Sequence, residues 1–230
     1  MLNETRIVDL TLGYAAYLRE AGEETRLYEA ANLRLPPDMI EFFKGGELSK
    51  KAAQQTLDFV SRQSKKKDVS GPRGEQLIYA RKDVRLMAPV PRPASIRTAT
   101  VYMGHSRIGP PRTEYWYKFP VLTHRTTTNV IGPDEPIVRP HYAKYFDCEL
   151  EVGFYVGTEC RDVRVADAEK YIAGYTIYND CTARELIFKD NHGDHEKMCN
   201  VMGPCLVTPD EIDEKNLKVT YRINGEVFYE

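Results

Sequence analysis

Apolar residues in the first third of the chain recur mainly at the spacing of helices. Residues 7–18 combine Ile, Val, Leu, Tyr and Ala in an order that predicts a short strand running into an amphipathic helix. A second helix is predicted near residues 37–44, because two prolines precede it and two glycines follow it. A third is predicted from about Glu47 to Arg62, where apolar side chains form a broken stripe.

A proline-punctuated segment separates this helical part from the rest. Residues 86–93 include Pro89, Pro91 and Pro93, which fix an extended chain that cannot continue a helix. We therefore predict a domain boundary here, with an N-terminal domain over residues 1–92 and a second domain over residues 93–230.

Beyond Pro93 the pattern changes to short runs of β-branched and aromatic residues, which favour strands. Asn224-Gly225 between two such runs predicts a hairpin, since a type I′ turn requires a positive φ at both central residues. A hairpin at the end of a chain leaves an uncovered edge, so we expect the natural polypeptide to continue past Glu230. The predicted strands are Thr98–Met103, Leu150–Val156, Ile172–Tyr178 and Leu217–Ile223, and the hairpin joins 221–223 to 226–229.

Composition narrows the class of protein. The chain has 230 residues, 42% of them hydrophobic, and a net charge of −2 spread over its length, which argues against a nucleic-acid-binding protein and suits a globular one. It contains no apolar run of bilayer length and no apolar signal segment at the N-terminus. Five cysteines without a CxxC pair predict reduced thiols, packed as small hydrophobes in a cytoplasmic protein.

The first candidate chemistry lies in the predicted strand that contains Glu149 and Glu151. Side chains alternate along a strand, so these two carboxylates point to the same face. If that face is buried, the two acids repel each other and bear a large desolvation cost unless a cation joins them. Oxygen ligands select Mg²⁺, Mn²⁺ or Ca²⁺ over softer metals. The alternative is a half-exposed strand whose acidic face is solvated.

A second segment strengthens the prediction of a metal site. An apolar strand runs directly into Asn179-Asp180 and then into Thr182-Ala-Arg184-Glu185. A carboxylate at the end of a strand can complete a metal site, and Arg184, predicted one helical turn later, can bind a substrate carboxylate as a planar fork. Asp180 could instead cap a helix that begins at Cys181, and Arg184 could form a salt bridge with Glu185 or another acid.

Four motifs together resemble the fumarylacetoacetate hydrolase family. They are Ala88-Pro-Val-Pro-Arg-Pro93, the Glu-Leu-Glu strand 149–151, the Gly-Tyr-Thr-Ile-Tyr-Asn-Asp-x-Thr-Ala-Arg-Glu segment 174–185, and Met202-Gly-Pro-Cys-Leu-Val-Thr208. They occur in order and at familiar spacing over roughly residues 86–226. The N-terminal 85 residues resemble the family only loosely.

The resemblance implies an α+β fold, in which a small N-terminal α/β domain precedes a mixed β-sandwich roll, and a homodimer. It places Glu149, Glu151 and Asp180 on the family's metal-ligand carboxylates, with Mg²⁺ or Mn²⁺ expected and Ca²⁺ possible. It places Arg184 on the substrate-facing arginine and His105 on the catalytic histidine. Family members act on small oxo-acids, so the expected partner is such a substrate, with no nucleic acid and no membrane.

Three positions depart from the family pattern. An acid often follows the histidine by three residues, but Ile108 stands there; a common glutamine is replaced by Ile187; and Asp194 occupies the usual position of a lysine. Lys197 lies close by and is our predicted substrate-binding lysine. These departures affect the groups that move protons and leave the predicted metal ligands unchanged.

Three functions are compatible with these residues. The first is a metal-dependent hydrolase that cleaves a carbon–carbon bond of a β-diketo or 2-oxo acid, with His105 as general base on water. The second is a lyase or isomerase of the same family, which the missing acid at position 108 favours. The third is a non-catalytic relative that keeps the fold.

Overall fold

The structure is a computed structural model that describes residues 3–65, 68–102, 112–119, 121–187 and 197–229, without the side chains of 187, 197 and 198. The chain divides into two compact units. The first comprises Met1–Leu86, Phe154–Tyr175 and Val207–Ile212, and the second comprises Met87–Gly153, Thr176–Leu206 and Asp213–Glu230.

The first unit begins with a short strand and four helices. The strand β1 pairs antiparallel with β2, in the register Ile7↔Tyr79. Side chains cap two of the helices, since Asp9 accepts from the backbone N–H of Leu12 and Asp38 accepts from that of Ile40. The elements are β1 (Arg6–Val8), α1 (Leu10–Glu20), α2 (Leu27–Arg34), α3 (Met39–Lys44), α4 (Gly46–Gln63) and β2 (Ile78–Ala80).

An apolar core packs two of these helices, α1 and α4, against the two strands. Its fully buried members are Val8, Ala16, Phe59, Val60 and Leu77. They come from β1, α1, α4 and the residue before β2, and Ile78 of β2 packs against them, so one cluster contacts all four elements. Burial of such side chains is the main favourable contribution to this part of the fold.

The remaining elements are mostly strands. They are β3 (Ile96–Ala99), α5 (Glu114–Lys118), β4 (Leu122–Arg125), β5 (Val130–Ile131), β6 (Phe146–Val156), β7 (Ile172–Ala183), α6 (Arg184–Ile187), β8 (Lys197–Val207), β9 (Tyr221–Ile223) and β10 (Glu226–Tyr229). The strands β3 and β4 pair antiparallel, with Ile96 opposite Arg125. A four-stranded sheet has the order β5-β8-β7-β6, in which β5 and β8 are parallel.

Side-chain contacts show how the central strands of this sheet run. Gly153 of β6 lies against Thr176 and Tyr178, whereas Glu149 of the same strand is bonded to Thr182. Higher numbers on one strand therefore meet lower numbers on the other, so β6 and β7 run antiparallel. A side chain at Gly153 would come within 3.2 Å of Thr176 Cγ2, so this close approach requires glycine or a shift of its neighbour.

The predicted α+β class is confirmed, and several elements lie where the sequence predicts them. The strand before the first helix, the helices near 37–44 and 47–62, and the hairpin are all present. Asn224 and Gly225 have φ values of 51° and 87°, as a type I′ turn requires. No helix among the described residues is both long and apolar enough to cross a bilayer.

Other boundaries were wrong. The first strand after the prolines is Ile96–Ala99, two residues earlier than predicted, and residues 217–220 are not in a strand. β7 continues through Ala183, five residues past the predicted end. Asp180 therefore caps no helix, and Arg184 is not one helical turn from it. Propensity misplaced this end, because Asn and Asp disfavour strands, whereas pairing on both sides of β7 keeps it extended.

Candidate active site on the four-stranded sheet

The three predicted metal-ligand carboxylates lie on neighbouring strands of the sheet. Glu149 and Glu151 are on β6, and Asp180 is on β7. The Thr182 hydroxyl donates a 2.7 Å hydrogen bond to Glu149 Oε1, so Thr182 faces the same side as Glu149. Asp180 is two residues before Thr182 on the same strand and shares that face. All three carboxylates therefore belong to one face of the sheet.

Three cysteine thiols lie on the opposite face of the sheet. The sulfur of Cys181 contacts those of Cys148 and Cys199, which lie on the strands to either side of it. Cys148 precedes Glu149 and Cys181 follows Asp180, so the alternation of strand side chains puts thiols and carboxylates on different faces. Cys181 is buried as predicted, whereas Cys160 is exposed.

Asp180 is buried and paired with an arginine that the sequence interpretation did not single out. Its Oδ2 lies 2.5 Å from Nη2 of Arg125, and the two side chains are 1% and 5% exposed. Burial disfavours the charged guanidinium, but the neighbouring Asp180 carboxylate outweighs burial and raises the pKa of Arg125. A pair this well buried keeps both charges only as long as both partners are present.

Tyr178 and Asn200 extend this arrangement into a buried polar network. The Tyr178 hydroxyl donates to Asn200 Oδ1 at 2.7 Å, and Asn200 Nδ2 donates to the Thr126 carbonyl at 2.9 Å. Burial raises the pKa of Tyr178, and the negative charges of Asp180 and Glu151 raise it further. We call Arg125, Tyr178, Asp180, Thr182 and Asn200 the polar cluster.

Arg184 binds two acids of the carboxylate face. Its Nε and Nη2 each lie 2.7 Å from Asp147 Oδ2, and Nη2 lies 3.3 Å from Glu149 Oε1. Burial disfavours its charge, but the hydrogen bond to Asp147 and the charge of Glu149 raise the pKa of Arg184. The salt-bridge alternative is therefore present, with Asp147 and Glu149 as the acids. The Glu185 carboxylate accepts hydrogen bonds from the backbone N–H groups of Lys144 and Tyr145.

Two predicted site residues cannot be placed in this geometry. His105 lies outside the described residues. Lys197 begins β8, but its side chain also lies outside what the structure describes. Their roles as catalytic and substrate-binding residues stay predictions.

The donor set suits a hard divalent cation. Three carboxylates on one face supply only oxygen ligands, which Mg²⁺ and Mn²⁺ prefer. Within the described ranges, no three His, Cys, Asp or Glu side chains converge closely enough to hold an ion. Instead, guanidinium groups neutralise Asp180 and Glu149. The three carboxylates therefore fit a metal by their chemistry, and two of them, Asp180 and Glu149, are paired with arginines in this structure.

The sequence interpretation missed Arg125 and Asn200 because both residues bond to partners that are distant in the chain. Arg125 ends a short segment, Leu122-Thr123-His124-Arg125, that reads as a polar strand or loop. The pairing of β4 with β3 and the bond to Asp180 are long-range contacts that no local pattern encodes. The sequence around Arg125 is polar throughout, from Thr123 to Thr128, and sets this arginine apart by no local signal.

Comparison with known proteins assigns the chain to a family. Residues 97–230 match the family described as fumarylacetoacetate (FAA) hydrolase C-terminal, which is more than half of the chain. The mitochondrial oxaloacetate tautomerase of Xenopus laevis is 28% identical over 204 residues, covering 84% of this chain and 57% of that protein. The chain thus spans less than two thirds of that relative.

Two solved structures from mycobacteria have a similar fold. The 5-carboxymethyl-2-hydroxymuconate delta-isomerase of Mycobacterium smegmatis is 30% identical, with a TM-score of 0.55 over 65% of this chain and 57% of that one. The 2-hydroxyhepta-2,4-diene-1,7-dioate isomerase of Mycobacterium marinum is 29% identical, also with a TM-score of 0.55, over 65% and 55% of the two chains.

Proposed function

Because this chain belongs to the fumarylacetoacetate hydrolase family, we propose that it is a divalent-metal-dependent enzyme that interconverts isomers of a small 2-oxo acid. The observation that carries the proposal is the shared face of Glu149, Glu151 and Asp180, with Arg184 bound at its edge. Such a face offers oxygen ligands for the cation and a guanidinium for the substrate carboxylate.

The choice of isomerisation rests on two supports. The relatives named above are a tautomerase and two isomerases, and each of these reactions moves a proton within an oxo-acid or its enol. In addition, Ile108 stands where an acid that could help to activate water is often found. Tautomerisation and isomerisation need no attacking water, whereas hydrolysis does.

The chain's own residues have distinct roles in this proposal. A divalent cation, when bound, would polarise the 2-oxo group and make the adjacent C–H bond more acidic. Arg184 attracts and orients the substrate carboxylate by its positive charge, and Asp147 holds the guanidinium in place through Nε and Nη2. The hydroxyl of Thr182 fixes the rotamer of Glu149. His105 stays the predicted proton-transfer residue.

Hydrolysis of a β-diketo acid is the second candidate. The family match itself favours hydrolysis, since the matched family is named after a hydrolase. Arg184 and the carboxylate face would serve it equally, because both reactions begin with an oxo-acid held in the same way. The two candidates differ only in whether a carbon–carbon bond breaks.

One NMR experiment separates the candidates. The chain is incubated in D₂O with Mg²⁺ or Mn²⁺ and a panel of 2-oxo acids and acylpyruvates. An isomerase exchanges the C3 protons or accelerates keto–enol conversion without new carboxylic acids, whereas a hydrolase releases pyruvate and a second acid. Absence of both reactions with metal bound would identify a non-catalytic relative.

A pair of matched variants tests the carboxylate face. Glu149→Gln removes a proposed ligand, whereas Glu159→Gln makes the same change at an exposed position. We expect the first variant to lose turnover by at least about a hundredfold, since one ligand and its charge are removed, and to lose stoichiometric Mn²⁺ in metal analysis. Equal metal content and turnover in both variants would contradict the assignment.

A further inference from the structure

The guanidinium of Arg125 has donors that the fold does not use. The side chain is 5% exposed and gives Nη2 to Asp180. Its Nε and Nη1 are sealed from solvent and have no hydrogen-bond acceptor within the described part of the chain. The Tyr178 hydroxyl lies beside the guanidinium and interacts with its charge, but no acceptor, Tyr178 included, is in hydrogen-bonding geometry with Nε or Nη1.

Unused donors of this kind are costly. Nε and Nη1 carry three of the five N–H groups of an arginine. Each buried N–H that lacks an acceptor costs about 1–3 kcal/mol, more when the group is charged. Arg125 pairs with Asp180 through one nitrogen only, although a fork–fork pair is the common arrangement for arginine and a carboxylate. The position therefore retains a cost that pairing with Asp180 alone does not explain.

We infer that Arg125 is an anion-binding residue of the proposed oxo-acid site, with Nε or Nη1 donating to a carboxylate oxygen of the bound acid while Nη2 stays on Asp180. Nε and Nη1 lie on opposite edges of the planar guanidinium, each beside one N–H of Nη2. An acid can therefore form a fork on the edge whose Nη2 proton Asp180 does not take. This inference rests on the proposed function, because it takes the ligand to be the carboxylate of that substrate.

Arg125 differs from Arg184 in what it can offer a ligand. Arg184 is 37% exposed and already gives Nε and Nη2 to Asp147 and Glu149. Arg125 is nearly sealed from water, so its attraction for an anion is screened less by solvent and salt. An ionised carboxylate is therefore favoured strongly over a neutral amide or ester at this position, and Arg125 would determine specificity for acids.

The substitution that tests this inference is Arg125→Lys. Lysine keeps a positive charge beside Asp180, so the buried pair persists, but it loses the planar fork. The probe is malonate, an unreactive dicarboxylate, titrated calorimetrically with and without Mg²⁺, and malonamide is its neutral counterpart. We expect the variant to bind malonate at least about tenfold more weakly than the unaltered chain, which corresponds to about 1.4 kcal/mol.

Two comparisons show whether the loss is specific. Arg97→Lys makes the same change on β3, where Arg97 is exposed beside His124, and should leave malonate affinity unchanged. Mn²⁺ affinity of Arg125→Lys, measured from the electron paramagnetic resonance signal of free Mn²⁺, should change less than about threefold because the charge is kept. Malonate binding equal to that of the unaltered chain would show that Arg125 has only a structural role.

A crystal structure of the unaltered chain with malonate tests the same inference if Arg125→Lys does not fold. Carboxylate oxygens within hydrogen-bond distance of Nε or Nη1 support it, and malonate bound elsewhere overturns it. Failure of the proposed function is distinguishable: a chain that catalyses no reaction of an oxo-acid but binds malonate through Arg125 contradicts the proposed function alone.

Discussion

The apolar core of the first unit and the polar cluster of the second are both sealed from water but are held together differently. Val60 and Leu77 in the core are completely buried and make contacts without directional requirements. In the polar cluster, Asp180 and Asn200 are as deeply buried, yet each accepts a hydrogen bond from a specific donor, Arg125 for Asp180 and Tyr178 for Asn200. An apolar neighbour can be exchanged for another of similar volume, whereas a charged partner cannot.

This difference predicts how each region responds to substitution. Shortening a core side chain leaves a cavity, and the loss grows with the volume that the surroundings cannot fill. Removing one member of a buried ion pair leaves an uncompensated charge, which is more damaging than removing both members together. The polar cluster should therefore show strong coupling between its residues, and the apolar core should show nearly additive losses for residues that do not touch.

The largest effect on stability is expected for Arg125→Met. It leaves the Asp180 carboxylate buried without its guanidinium partner, and such losses are about 3–5 kcal/mol. Urea denaturation of the metal-free chain measures the change in the free energy of unfolding. Arg97→Met, an exposed control on the neighbouring strand β3, should change it by less than about 0.5 kcal/mol.

The double variant Arg125→Met with Asp180→Asn sharpens this prediction. Removing both charges should restore part of the stability lost in Arg125→Met, because the uncompensated carboxylate is gone. If the two losses simply add, the pair is not coupled and the description of the cluster as mutually dependent is wrong.

A comparable but smaller loss is expected in the apolar core. Leu77→Ala removes a fully buried side chain that contacts the cluster of β1, α1 and α4, so we expect about 3 kcal/mol of destabilisation. Leu33, which is 75% exposed, provides the control: Leu33→Ala should have little effect. Since no charge is involved, the Leu77→Ala loss should be the same at low and high salt; a marked salt dependence would count against the purely apolar interpretation.

The sequence predicted the first region better than the second. Helix periodicity and turn residues locate α1, α3 and α4, because these signals are local. The Glu149 and Glu151 face follows equally from strand alternation. The partner of Asp180 could not be predicted, since Arg125 is 55 residues away and reaches it only through the pairing of strands. The end of β7 was predicted wrongly for the same reason, because the length of this strand depends on its pairing with both neighbouring strands.

The smallest expected effect, and one confined to the polar cluster, concerns Tyr178→Phe. At neutral pH it removes the bond to Asn200 Oδ1 and should cost about 1 kcal/mol of unfolding free energy.

The pH dependence of this loss follows from the surroundings of the tyrosine. Burial, and then the charges of Asp180 and Glu151, raise the pKa of Tyr178 above its ordinary value of 10.0. Above pH 10 the unfolded chain therefore loses the tyrosine proton that the folded chain keeps, so this stabilisation is complete below pH 10 and declines as the pH rises. The decline approaches about 1.4 kcal/mol per pH unit. Unfolding free energies of the two chains should converge near about pH 11, and a gap that stays constant from pH 8 to about pH 11 would show that the Tyr178 proton is not held by its buried surroundings.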